Sequence, residues 1–350
     1  EMSHPSLKNA HLAISAYPIN NTMAKFRPLK KKTAKKAVWE IRTNKGTYIM
    51  KKVPLDKDRI QFMAHAIDYL RTNGVKTPQV IRTKTGEVFT NVQDEYYIVF
   101  EAVYGRSPDY KKKHDLKKIM EGIGHFHKGS SGFTSPIGYY PSFLLDERKS
   151  NYKKRYKRLL KLKKNRSESV SINEFDRLFL KNVDTFLNQC ESSLSLFDSE
   201  SYDTWAEIIN KNINLCHQDY AENNLLITPD SDLYVFDMDS LTVDLPIRDI
   251  RKILNKVMRK EAEWNLDIML RMLKDYQRVN PLSKEQYEIL GAELMFPHLF
   301  YDQATTYYYK RQNNWSEEKH VMKLKNVIST EMSKEKVLPA FLQRMNEVID

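Results

Sequence analysis

The sequence predicts an α+β chain in two parts. A small antiparallel sheet with one helix fills residues 1–103, and a mostly helical region fills 104–350. Three observations carry this. Ala37-Val38-Trp39-Glu40-Ile41-Arg42 and Thr47-Tyr48-Ile49-Met50-Lys51 alternate around an Asn44-Lys45-Gly46 turn, which is a hairpin pattern. From Leu116 onward, apolar residues recur at helical spacing almost without a break. A single β island at residues 212–239 interrupts that run.

In chain order, residues 3–16 form a short, mildly amphipathic helix candidate, and the hairpin follows. Arg59 to Arg71 places Ile60, Phe62, Met63, Ala66, Ile67 and Leu70 on one helical face and stops at Asn73-Gly74. Gln79-Val80-Ile81-Arg82, a Lys84-Thr85-Gly86 turn and Tyr96-Tyr97-Ile98-Val99-Phe100 then read as strand, turn and strand. Glu101 to Pro108 is a connector into the helical region. Asn151 to Arg166 is dense in Lys and Arg around Leu159, Leu160 and Leu162, and reads as a helix with one apolar stripe. A second basic run, Lys30 to Lys36, precedes the hairpin.

At 350 residues, with 41% hydrophobic and 11% aromatic residues, the chain can bury substantial cores and is no disordered polymer. A net charge of +12 favours polyanionic partners such as nucleotides and disfavours a polycationic substrate. The basic runs lack the interleaved aromatics of a nucleic-acid platform, so nucleic acid is not the expected partner. Two cysteines, Cys190 and Cys216, form neither a disulfide framework nor a metal spacing. No N-terminal stretch has the apolar core of a secretion signal, and no segment approaches the ~18 apolar residues of a membrane span. The expectation is a soluble protein made in the cytoplasm, with no membrane partner.

The chemistry concentrates in residues 215–240. Phosphoryl transfer needs a carboxylate to orient or deprotonate the incoming hydroxyl, oxygen ligands for Mg²⁺, and a cation on the phosphates. Asp219 with Asn224 five positions later supplies a carboxylate and an amide. The strand Leu233-Tyr234-Val235-Phe236 returns to deliver Asp237 at the same edge. Mg²⁺ takes hard oxygen ligands and keeps some waters, so one amide and one carboxylate suffice beside phosphates.

His217-x-Asp219-x-x-x-x-Asn224, followed by an apolar pair and Asp237-x-Asp239, resembles the catalytic and metal motifs of the aminoglycoside phosphotransferase and choline kinase superfamily. The resemblance implies a two-lobed protein kinase-like fold, with ATP and Mg²⁺ as cofactors. It implies Asp219 as catalytic base, His217 as the residue that orients its loop, and Asn224 and Asp237 as metal ligands. Asp239 would stand beside the metal without binding it, and Asp249 would be a structural acid capping a helix. Upstream, Lys51 would hold the ATP phosphates. Lys52 is the rival, which strand alternation points the other way. Glu101 and Val103 would read adenine through the backbone. His127, ending a helix, is read as packing.

Tyr17-Pro18, Thr-x-x-Gly in the hairpin, Asn73-Gly74-Val75, Lys84-Thr85-Gly86 and Phe236-Asp237-Met238-Asp239-Ser240 are similar to bacterial spore coat proteins of the CotS and CotI type. That likeness implies synthesis in the mother cell, a place in the spore coat and other coat proteins as partners. The phosphate acceptor, small molecule or protein, is not specified. Two features depart from active kinases. Leu29 to Ala37 has five lysines and no glycine where a phosphate loop is expected. The helix at 59–70 carries Gln61, Met63 and His65 where a Glu would brace the lysine. A working phosphotransferase and a kinase-like scaffold of low turnover therefore both remain open. The aromatics Trp264, Tyr307, Tyr308 and Trp315 are candidates for a substrate cage, or for packing.

Overall fold

The computed structural model describes residues 5–19, 24–29 and 36–350. The lysines at 30–35, and residues 3 and 4 of the first helix candidate, lie outside these. The chain divides into two compact units. One comprises Glu1–Asp109, Gly129–Ser142 and Ala221–Thr242, and the other Tyr110–Lys128, Phe143–Tyr220 and Val243–Asp350.

The first unit is organised by an antiparallel sheet of β1 (Lys25–Pro28), β2 (Ala37–Thr43), β3 (Gly46–Val53), β4 (Val80–Ile81), β5 (Thr90–Val92) and β6 (Glu95–Glu101), ordered β1-β2-β3-β6-β4 with β5 on β6. Strands β1 and β5 were not foreseen from sequence. The first is short, mostly exposed and ends at Pro28, and the second is three residues long, so neither carries an alternating pattern. Alternation fixes the two faces of the sheet. Trp39 pairs with Met50 and Met50 with Val99. All three are fully buried with Ala10, Ala13 and Ile14 of α1 (Pro5–Ile14). Ile49, Lys51 and Phe100 therefore look to the opposite face.

On that face lies α2 (Lys57–Thr72), which begins where Asp56 accepts the N–H of Arg59 at 2.9 Å. It stops at Asn73 and at Gly74, whose φ of +88° suits glycine. A hairpin of Leu225–Ile227 and Leu233–Val235 joins the same unit. Thr77 Oγ1 donates to Val235 O at 2.7 Å, and Arg106 and Ile227 exchange backbone bonds at 3.0 and 2.8 Å. Gly105 is required there, because a Cβ would meet Ile227 O at 2.4 Å.

The second unit is helical. It contains most of α3 (Lys113–Ser130), then α4 (Arg148–Ser167), α5 (Glu174–Phe197), α6 (Glu200–Lys211), α7 (Ile247–Arg259), α8 (Leu266–Val279), α9 (Lys284–Met295), α10 (His298–Tyr308) and α11 (Glu317–Gln343). Along α5, Phe175, Phe179, Val183, Phe186, Leu187 and Cys190 repeat at helical spacing and are all buried. The basic stripe is α4. Leu159 and Leu162 are buried and Leu160 is exposed. Arg148, at its start, is fully buried and bonds Asp244 and Glu293 at 2.6 Å each. Arg251 adds a 3.2 Å bond to Glu293, and the Tyr152 hydroxyl donates to it at 2.6 Å. Burial pushes the Glu293 carboxyl up, but the arginines outweigh that and hold it at about 2.

Candidate functional site

On the open face of β3 the first unit forms a recess walled by Ile49, Met63, Ile67 and Phe100 and lined also by Lys51, Asp237 and Asp239. Strand alternation separates the two candidate lysines. Lys51 lines the recess, its Nζ 5.2 Å from the centre of the Phe100 ring. Lys52 turns away and pairs with Glu95 at 2.6 Å, only 8% exposed. Glu101 also borders the recess. Its carboxylate accepts from Gln79 N at 2.9 Å and pairs with Arg71 at 3.2 Å, so that side chain is committed to the fold. Val103 follows, half-buried, and its N–H makes no hydrogen bond among the described residues.

The 225–235 hairpin brings Asn224 and Asp237 together within this unit. Asn224 O accepts from Phe236 N at 2.8 Å, one rung beyond the Leu225–Val235 pair, and Asp237 comes next. Asp237 adopts φ +61°, a left-handed conformation that costs a non-glycine residue ~1–2 kcal/mol and that Asp tolerates better than most. Asp239 N donates to Asp237 Oδ1 at 3.3 Å, closing the loop on itself. Burial and then the Asp237 charge push the Asp239 carboxyl up, while Lys51, Lys36 and Arg59 pull it back. Asp237 and Asp239 line the recess and the buried Asn224 lies at the base of the same hairpin, and carboxylate and amide oxygens are the donor type that a hard divalent cation such as Mg²⁺ takes.

From α2, Met63 and Ile67 line the recess, and no carboxylate of that helix does. Asp68 pairs instead with Arg82. Arg59, which sequence reasoning passed over, reaches Asp239 O at 3.5 Å across 180 residues. Nothing in a helical pattern signals such a long-range bond.

The other half of the predicted set belongs to the helical unit. His217 is fully buried, and its Nδ1 accepts the N–H of Asp219 at 3.1 Å, so the ring proton sits on Nε2. It packs edge-on to Phe126, ring centres 5.7 Å apart. The Asp219 carboxylate is exposed, so of the two it is the group a substrate can reach. Gln218 between them has φ +73°. Asp249 holds this strained turn by accepting His217 N at 2.8 Å and Gln218 N at 2.9 Å. Asp249 thus caps the loop across 31 residues, whereas the sequence reading had it capping a helix; within α7 it sits in the first turn. Lys252, one turn on, donates to Gln218 O at 2.8 Å. Burial, then Arg251 and Arg248, push its ammonium down to about 8.

His127 completes the support. Asn280 donates to the Tyr276 hydroxyl at 2.8 Å, which donates to His127 Nδ1 at 2.7 Å, leaving Nε2–H to donate to Asp249 at 2.9 Å. Burial raises the Asp249 carboxyl, but the His127 hydrogen bond, with the backbone N–H of Gln218, outweighs it and holds it at about 2. Cys216 offers a donor atom within 4.8 Å of those of His127 and Asp249. Those two are bonded to each other, and the Cys216 thiol, its pKa raised by burial, donates to Leu245 O at 3.2 Å. That trio is scaffold.

The profile of the family described as "Spore coat putative kinase YutH" matches residues 27–341. Spore coat protein S of Bacillus subtilis (strain 168) is 31% identical over 328 residues, covering 91% of this chain and 90% of that protein. An aminoglycoside phosphotransferase from Alicyclobacillus acidocaldarius superposes with a TM-score of 0.81 at 17% identity, covering 96% of each chain. Amicoumacin kinase hAmiN, solved with AMP-PNP and Ca²⁺, superposes with a TM-score of 0.61 at 16% identity, over 97% of this chain and 95% of that one. The fold is the mixed α+β, kinase-like fold of the aminoglycoside phosphotransferases. Among the described residues, no helix is long and apolar enough to cross a membrane.

Proposed function

We propose that this chain, which belongs to the YutH family of kinase-like spore coat proteins, is a phosphotransferase of the spore coat that moves the γ-phosphoryl group of ATP to a hydroxyl acceptor. The observation that carries the reading is the recess of the sheet unit, where Lys51, Asp237 and Asp239 line one space. Lys51 holds the ATP phosphates. Glu101 and Val103 offer backbone groups to adenine. Asn224 and Asp237 are the residues that would hold Mg²⁺, with Asp239 beside them. The bound cation supplies charge neutralisation on the phosphates. Asp219 takes the proton of the acceptor hydroxyl as its oxygen bonds to the γ-phosphorus and ADP leaves. His217, held by its bond to Asp219 N, keeps that carboxylate in place and does no chemistry.

Thermal unfolding with ATP, with and without Mg²⁺, tests this. The midpoint should rise only when both are present, and Asp237→Asn should abolish the response. A flat response in the unmodified protein refutes the proposal. One observation favours a second reading, a nucleotide-responsive coat scaffold of low turnover. The helix α2 turns Met63 and Ile67 to the recess where a carboxylate would brace Lys51. That protein would show the same thermal shift with no ADP release above background.

A further inference from the structure

The 20 residues of α4 include no Asp or Glu, and Glu147 and Glu168 stand just outside its two ends. Its cations divide into two sets. The first turns toward the rest of the helical unit and is answered there. Lys149 pairs with Asp198 at 3.1 Å, Lys163 with Asp184 at 2.6 Å and Arg166 with Asp176 at 3.6 Å. Arg158 donates to the Tyr301 hydroxyl at 3.0 Å, and Arg155 lies 5.1 Å from the centre of that ring. The second set is Lys153, Lys154, Lys157, Lys161 and Lys164. All five are exposed, and none forms an ion pair among the described residues.

Helical geometry gathers this second set into one ridge. The five lysines fall within about 100° of arc and run about 17 Å along the axis. Lys153 and Lys157, and Lys157 and Lys161, are like charges at i,i+4, which weakens a helix on its own. The buried Tyr152, Leu159 and Leu162 hold α4 in place against that repulsion. The ridge is therefore a line of charge that the described residues leave unanswered, and it favours an anionic partner.

Geometry narrows the partner. Successive lysines of the 153, 157, 161 row rise by about 6 Å. Alternate side chains of an extended peptide repeat at about 6.6 Å. Because α4 packs along α5, it offers a single ridge and is not free to enter a nucleic-acid groove. Nor does it offer a stacking ring, since Tyr152 is buried and the Tyr156 hydroxyl donates to Glu191. Leu160, 40% exposed, is the apolar side chain on this face, and one leucine does not seat a helix in a bilayer. We infer that this face of α4 docks an extended acidic segment of another protein, with carboxylates at alternate positions. The face shares no residue with the phosphotransfer recess, so docking does not depend on catalysis.

Fluorescence anisotropy of the full chain with a short labelled peptide alternating Glu and Thr tests the inference. The peptide should bind in low salt, and at least about tenfold more weakly at about 0.3 M salt. Lys157→Gln combined with Lys161→Gln should weaken binding at least about tenfold. Lys284→Gln combined with Lys336→Gln removes the same charge from exposed positions of α9 and α11, and should change binding by less than about twofold. The α4 double variant should melt no lower than the parent, because it relieves like-charge repulsion. A duplex oligonucleotide and phosphatidylglycerol vesicles serve as the other probes. The inference is overturned if the peptide does not bind, if the two double variants weaken it equally, or if the α4 variant melts lower. It is also overturned if losing Lys157 and Lys161 weakens the duplex or the vesicles and not the peptide.

Discussion

Around His217 the protein meets its own demands. Asp249 takes two backbone N–H groups and His127, and Tyr276 and Asn280 fix the histidine behind it. Around Asp237 the chain does the opposite. It places two carboxylates two residues apart on one short loop, one in a left-handed conformation and the other pushed up by burial and by its neighbour. The first loop is rigid scaffold for an exposed carboxylate. The second sets two carboxylates close together, with Lys51, Lys36 and Arg59 only partly offsetting burial and the repulsion between them. If the contrast is real, variants in the first loop damage the fold or the chemistry, and variants in the second change the response to ligand.

The largest effect expected is catalytic. Asp219→Asn removes the base and leaves the buried support intact, so turnover should fall ~10²–10⁴-fold with little change in unfolding midpoint. Steady-state ADP release, measured beside a melt, separates the two. Next is Asp249→Ala. It strands two backbone donors and His127 in a dry interior, which should cost ~3–5 kcal/mol by denaturant unfolding. If Asp249→Ala melts normally, the picture of a prebuilt catalytic loop is wrong.

Acid should reveal the same scaffold. Asp249 and Glu293 are both held at about 2, below their ordinary carboxyl values of 3.8 and 4.5. The unfolded chain therefore takes up these protons first as pH falls. Their stabilisation is complete above about pH 4.5 and is lost progressively down to about pH 2, at about 2–3 kcal/mol each. Chemical denaturation at several pH values should show the loss in the unmodified protein, and Glu293→Gln should remove part of its pH dependence.

Much of this contrast was legible in the chain, and the reason is locality. The two-residue period of β3 told Lys51 from Lys52, and the 217–224 and 237 spacing marked one stretch as the candidate site, because each pattern lies within a single element or hairpin. What stayed hidden depends on distance along the sequence. Asp249 is thirty-one residues from the Gln218 it caps, and Arg59 is 180 residues from Asp239. The segments 129–142 and 221–242 pack with the sheet unit, although their neighbours in sequence belong to the helical one. The starts of α5 and α11 are capped by Asn173 and Ser316, each an ordinary cap when read alone. No periodicity reports which caps end up side by side.

The smallest effect discriminates best, because its sign reverses with ligand. Asn tolerates φ near +61° at least as well as Asp, so Asp237→Asn carries no new backbone strain. It also removes the charge that pushes Asp239 up. Without ligand the variant should therefore be as stable as the parent or more stable, by less than about 1 kcal/mol. With Mg²⁺ and ATP the parent should gain stability by mass action and the variant should not, so their order of melting inverts. A variant less stable than the parent in both conditions would make Asp237 an ordinary structural acid. The two loops would then differ in position only, and the cation reading of the second would fall.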